Sequence, residues 1–272
     1  MRVTALVLGM TAASASCNAI LGNSELGPAE PADARSADVT PDARTGEAGT
    51  GEAGRRDAGS DAGREAGLKY VTSAAGSTMG DGEASFSVNV SSVKRGDLLV
   101  AAFGWSGRSE FAVTDTFHSN WTMEPVVDGP ATDYYVGMAF ALAGDSGMDT
   151  VTLAPDGSAS TYYHLFVLVF RGANTVDALN SSCDTATQLS LPLTTTYPNE
   201  VVVGWPCVNG GPAPDPGLGF HSTIKTQEQI VEYAFEPEAG VHDITASLPD
   251  GAAAPAYCVY GMSFYELPDG GL

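Results

Sequence analysis

Lys94-Arg95-Gly96-Asp97-Leu98-Leu99-Val100-Ala101-Ala102-Phe103 decides the fold. A polar turn containing Gly and Asp is followed at once by six apolar residues, a length that suits a strand and is too short for a core helix. Such a near-continuous run is expected of a buried sandwich strand. Just upstream, Phe86-Ser87-Val88-Asn89-Val90 alternates apolar and polar with period two, the mark of a strand with one wet face.

The same two patterns recur to the C-terminus. Long apolar runs cover Tyr134 to Leu142, Tyr162 to Phe170, Val201-Val202-Val203-Gly204-Trp205 and Tyr257 to Leu267. Shorter strands are predicted at Phe111 to Thr116, Asp149 to Leu153, Leu189 to Thr195, Ile230 to Phe235 and Val241 to Leu248. Gly, Asp, Pro and Asn separate them. No segment carries a sustained 3.6-residue apolar stripe, so helices should be scarce. Roughly ten to thirteen short strands in residues 68–272 predict one all-β domain, an antiparallel β-sandwich or jelly roll.

The segment Lys94 to Phe103, continued by Gly104-Trp105, resembles a strand motif of secreted bacterial β-sandwich modules. Val113-Thr114-Asp115-Thr116-Phe117-His118-Ser119-Asn120-Trp121-Thr122 is similar to the turn that follows it in those modules, with Ser119 where they carry glycine. Phe170-Arg171-Gly172-Ala173 through Asp177-Ala178-Leu179, and Thr194-Thr195-Thr196-Tyr197-Pro198-Asn199-Glu200-Val201-Val202-Val203-Gly204, resemble two further elements. The likeness spans nearly all of 70–267. It implies a fold and an exported protein, and it carries no functional residue with it.

The N-terminal part has a different composition. Met1-Arg2 is followed by an apolar run from Val3 to Ala13, then Ser14-Ala15-Ser16-Cys17. About 11 apolar residues cannot span a bilayer, which needs about 20, and they fit the core of a secretory signal. Residues 1–17 therefore read as a signal peptide. Ser14-Ala15-Ser16-Cys17 resembles a bacterial lipobox, which would make Cys17 a diacylated membrane anchor. The alternative is cleavage after Ala13-Ser14-Ala15 and free secretion. Residues 18–67 are expected to form a disordered linker rich in Gly, Ala and Asp. From Glu25 to Gly67 there is no aromatic residue, and quasi-repeats such as Gly46-Glu47-Ala48-Gly49 and Gly51-Glu52-Ala53-Gly54 appear. As a flexible coil, about 43 residues would reach about 35–40 Å. These readings place the protein in the cell envelope, as an outer-membrane or surface lipoprotein, or alternatively outside the cell.

The formal net charge is −21, of which residues 68–272 carry −17. So acidic a domain repels nucleic acid and anionic lipid. Its carboxylates serve solubility or could hold a structural calcium, for which the turn residues Asp128, Asp133, Asp145, Asp149 and Asp156 are candidates. No other cofactor is expected. His118, His164, His221 and His242 lie far apart, in no metal-ligand spacing. There is no Gly-x-Ser-x-Gly elbow and no phosphate-binding glycine loop, so the domain is not expected to be an enzyme.

Cys183, Cys207 and Cys258 remain if Cys17 is acylated. A Cys183–Cys207 disulfide is expected, joining a loop to a neighbouring strand end, with Cys207–Cys258 the next choice. Trp105, Trp121 and Trp205 fall at or near strand ends. The doublets Tyr134-Tyr135 and Tyr162-Tyr163 must each send one ring outward. Trp105, Trp121, Trp205, Tyr134 and Tyr162 are therefore candidates to stack on sugar rings, the competing role being core packing. The reading that results is a non-catalytic binding or adhesion module whose partners would be the membrane, through its anchor, and polysaccharide or an envelope protein. The alternatives are a structural envelope component and a polysaccharide-acting hydrolase.

Overall fold

A computed structural model describes residues 67–83, 85–106, 111–124, 127–128, 134–155, 160–185, 188–208, 212–226, 229–249 and 256–267. Residues 1–66, on which the expected signal peptide, Cys17 and all of the expected linker but Gly67 fall, lie outside these residues. Those described are all-β and antiparallel and belong to one compact unit, Ser60–Leu272.

The first half of the unit holds β1 (Lys69–Glu83), β2 (Phe86–Val93), β3 (Leu98–Ser106), β4 (Phe111–Asp115), the two-residue β5 (Thr122–Met123) and β6 (Val127–Asp128), β7 (Tyr134–Leu142), β8 (Gly147–Pro155) and β9 (Ser160–Arg171). The second half holds β10 (Thr175–Thr185), β11 (Gln188–Thr194), β12 (Glu200–Val208), β13 (Asp215–Pro216), β14 (His221–Lys225), β15 (Ile230–Glu236), β16 (Val241–Ser247) and β17 (Ala256–Tyr265).

The two halves are wired alike, except that β6 has no counterpart in the second. In the first, an inner sheet runs β1-β9-β3-β7, with β5 and β6 on the far side of β7, and an outer sheet runs β2-β8-β4. In the second, the inner sheet runs β10-β17-β12-β15-β14 and the outer sheet β11-β16-β13. Counted within each half, this is jelly-roll wiring with the short fifth strand moved onto the inner sheet. The expected sandwich is therefore present twice.

Three apolar layers stack four sheets. Leu98, Val100, Phe166 and Phe170 of the first inner sheet meet Val203, Trp205, Met262 and Phe264 of the second. The opposite face of the first inner sheet, with Leu99, Phe103 and Val167, packs on Val88, Val90, Val151 and Leu153 of its outer sheet. Likewise Val202 and Val259 pack on Leu189, Leu191, Leu193 and Ile244. Inner strands are covered on both faces, so β12 is buried at every position, whereas β11 alternates strictly between exposed and buried.

The strands that pattern missed are the five-residue β14, the two-residue β5, β6 and β13, and the first of each half. β1 is rich in Gly, Ala and Ser, and β10 carries Asp177, Asn180, Ser181, Ser182 and Asp184. Each is the outermost strand of its inner sheet, with a single hydrogen-bonded neighbour, and so needs less apolar surface. They match in detail, with a register shift at Tyr70/Thr72 in β1 and at Val176/Ala178 in β10.

The turns entering β3 and β12 are also built alike. Gly96 (φ 83°) and Asn199 (φ 58°) take the left-handed conformation one residue before a buried acid. Lys94 N donates to Asp97 Oδ2 at 2.8 Å, and Tyr197 N donates to Glu200 Oε1 at 3.0 Å. They differ in what faces the acid. Arg171, next to the Phe170 that pairs with Leu98, donates through Nε and Nη2 to both Asp97 oxygens at 2.7 Å. In the second half Tyr265 takes that place, next to the Phe264 that pairs with Val201. Burial, with Asp177 nearby, pushes the Glu200 carboxyl above the ordinary carboxylate range.

The two corners should respond oppositely to neutralisation. R171M leaves Asp97, only 2% exposed, without its bidentate partner and should cost about 3 kcal/mol in urea unfolding at pH 7. E200Q removes a buried acid that favours its neutral form and should leave stability unchanged or raised. Equal losses from both would contradict this account of the corners.

Candidate functional site

Two of the five aromatic candidates are core residues. Trp105 is 2% exposed between the first inner and outer sheets, stacked at 5.3 Å on Tyr135. Trp205 is fully buried between the two inner sheets, against Phe166. Strand alternation sends both side chains inward, and neither can stack on an external ring. Trp121 is half-buried, and its Nε1 donates to Asp115 Oδ2 at 3.2 Å, which ties it into the turn after β4. Tyr134 and Tyr162 begin or lie near the start of strands β7 and β9, and their side chains fall outside the described residues.

The disulfide differs from the expected one. Cys183 bonds Cys258, and Cys207 carries a buried thiol. Cys183 is not in a loop: it lies in β10, directly opposite Cys258 of β17. The loop assignment failed because β10 has the polar composition of an outermost strand.

Among the calcium candidates, Asp149 is buried and its Oδ1 accepts from the amide and hydroxyl of Thr116, at 3.1 and 2.8 Å. Asp145 is exposed and accepts from Ser146 N. Asp133 and Asp156 and the side chain of Asp128 lie outside the described residues. No group of three or more His, Cys, Asp or Glu side chains among the described residues could hold a metal ion. The histidines are dispersed as well. His164 is buried in the central layer beside Phe166, and burial lowers its pKa to about 4. His242 meets Thr195 and Glu236 at the start of β16.

A surface concavity of about 410 Å³ lies on the outer face of the second outer sheet. Alternation builds its floor. Leu189 and Leu191 of β11 and Ile244 and Ala246 of β16 point into the core, so Gln188, Ser190, Thr245 and Ser247 point out. Pro216, Gly217 and Leu218 form one wall, and Leu218 is completely exposed. No residue lining the trough is charged. Gly217 is required there, because a Cβ would collide with the Thr245 backbone carbonyl.

The wall is held from below by a buried acid. Val231 and Tyr233 of β15 face the central layer, so Glu232 between them points toward the outer sheet. Gly204, directly opposite on β12, leaves room for it, since a Cβ there would lie 3.2 Å from Glu232 Oε1. Gly217 N donates to Glu232 Oε2 at 2.9 Å, and Oε1 has no hydrogen-bond partner among the described residues. Burial pushes this carboxyl up to about 8, against the opposing effect of the Gly217 amide. Sequence alone gave no signal for it, since Glu232 lies among apolar strand residues and its depth follows from tertiary packing. No protein-family model matches the chain, and neither a curated protein nor a solved structure is significantly similar to it.

Glu232 makes stability depend on pH. Its folded pKa is above its ordinary 4.5, so its contribution is full below about 4.5 and is lost as pH rises toward 8. Between pH 6.5 and 8 the wild type should lose on the order of 1.4 kcal/mol per pH unit relative to E232Q. This window avoids His164, whose lowered pKa costs stability only below 6.5. Parallel stability–pH curves for the two proteins, measured by urea unfolding, would refute the assignment.

Proposed function

We propose that this chain is a cell-envelope lipoprotein, anchored through Cys17, that presents a non-catalytic β-sandwich module binding an uncharged polysaccharide segment. The observation that carries the binding reading is the trough between β11, β13 and β16. In a domain of net charge −17, its lining holds no ionisable side chain. It offers hydroxyls from Ser190, Thr245 and Ser247 and the amide of Gln188 beside an exposed leucine. A neutral polyol suits such a lining. Its hydroxyls exchange hydrogen bonds with the floor, its C–H face covers Leu218, and no charge is desolvated on either side. The tether expected from residues 18–67 would hold the trough clear of the headgroups.

Thr245→Arg places a long cation in the centre of the floor, at a side chain that points away from the core. Binding of the full chain to a panel of neutral and charged polysaccharides should favour neutral ones and fall at least tenfold in T245R, with an unchanged melting temperature. Equal binding by wild type and T245R, or no binding to any neutral polysaccharide, would refute the trough as the site. Metabolic palmitate labelling should mark the wild type and not C17S.

A further inference from the structure

Three cysteines stand in one row across the second inner sheet. Cys183 of β10 is directly opposite Cys258 of β17, and Cys258 is directly opposite Cys207 of β12. Directly opposed residues project to the same face, and all three belong to the central apolar layer. Neighbouring strands are about 4.8 Å apart, so the row runs straight across the sheet with Cys258 in the middle. One bond of the row, Cys183–Cys258, is closed, and Cys207 is a thiol.

We propose that this row is an intramolecular thiol–disulfide exchange site, with Cys207 as the internal nucleophile. Exchange at sulfur proceeds by attack of a thiolate on one sulfur of the disulfide, opposite the departing sulfur. The row supplies that arrangement, with Cys207 as attacker, Cys258 as the central sulfur and Cys183 as the leaving group. Cys207 gives up its proton, and its Sγ bonds Cys258 Sγ as the Cys258–Cys183 bond breaks. The electron pair leaves on Cys183, which takes up a proton. One disulfide and one thiol exist before and after, so no external oxidant or reductant is consumed.

The environments of the two end cysteines make the exchange consequential. Cys207 is buried between strands β17 and β15, in the interior of the sheet, whereas Cys183 is partly exposed on the outermost strand β10. The exchange therefore converts a buried thiol into an accessible one without changing the number of disulfides. It also releases β10 from its covalent tie to β17 and ties β17 to β12 instead. Because the attacking group is a thiolate, the rate should rise with pH up to the pKa of Cys207.

The test is alkylation of the folded, oxidised full chain with iodoacetamide, followed by non-reducing peptide mapping that assigns each cysteine separately. Alkylated Cys183 should accumulate together with a Cys207–Cys258 disulfide, about tenfold faster for each pH unit below the thiol pKa. In C207S, Cys183 should stay unlabelled and bonded to Cys258. A folded C183S variant should form Cys207–Cys258 under air oxidation. The proposal is overturned if wild-type label falls on Cys207 and never on Cys183, if Cys183 is labelled equally in C207S, or if folded C183S keeps both remaining thiols reduced.

Discussion

The face-to-face packing of the two inner sheets is the constraint on which the rest of the structure depends. Each inner sheet is already covered on one side by its own outer sheet, so burying the other side leaves its central strands no wet face at all. β3, β9, β12 and β17 must then be apolar along almost their whole length. Trp205 fills much of the layer, and its counterpart by strand register in the first half is Ala102. A large side chain in one half beside a small one in the other lets two similarly wired sheets interdigitate at native density.

Duplicated wiring with divergent corners accounts for where polar chemistry is placed. The first half neutralises its buried turn acid with Arg171. The second half has Tyr265 and Asp177 around Glu200, and a further buried acid, Glu232, beneath its outer sheet. Its three cysteines also lie in one row. The equivalent outer face of the first half closes on itself, with Ser87 hydrogen-bonded to Thr152 and Thr150 to Asn89. In the second half the outer face instead opens into the trough. The second half thus carries the features that packing alone does not require.

Much of the fold was legible because strand pattern encodes layer. The alternation of Phe86 to Val90 marks an outer strand, and the unbroken Leu98 to Phe103 marks an inner one. The resemblance to secreted β-sandwich modules pointed to the same class. The duplication was harder to see, because matching strands share wiring and turn geometry while their side chains differ, as Arg171 and Tyr265 do. Polar β1 and β10 were unreadable as strands because an outermost strand is held by its ladder and not by apolar burial. That error also misplaced Cys183 and hence the disulfide. Two of the aromatic candidates failed for a related reason. Trp105 and Trp205 sit near strand ends, but which face each ring takes depends on register, and a second covering sheet buries either choice. The trough was invisible for the opposite reason: its serines and threonines are ordinary residues of a wet strand face, and only three adjacent elements gather them around one concavity.

Native-state hydrogen exchange read by mass spectrometry across increasing denaturant tests the four-layer arrangement most directly. If the two inner sheets share one core, amides of β3 and β9 and those of β12 and β17 should become exposed in a single cooperative opening with one free energy. Two independent openings, one for each half, would show that the halves do not depend on each other and would contradict the central layer on which this account rests.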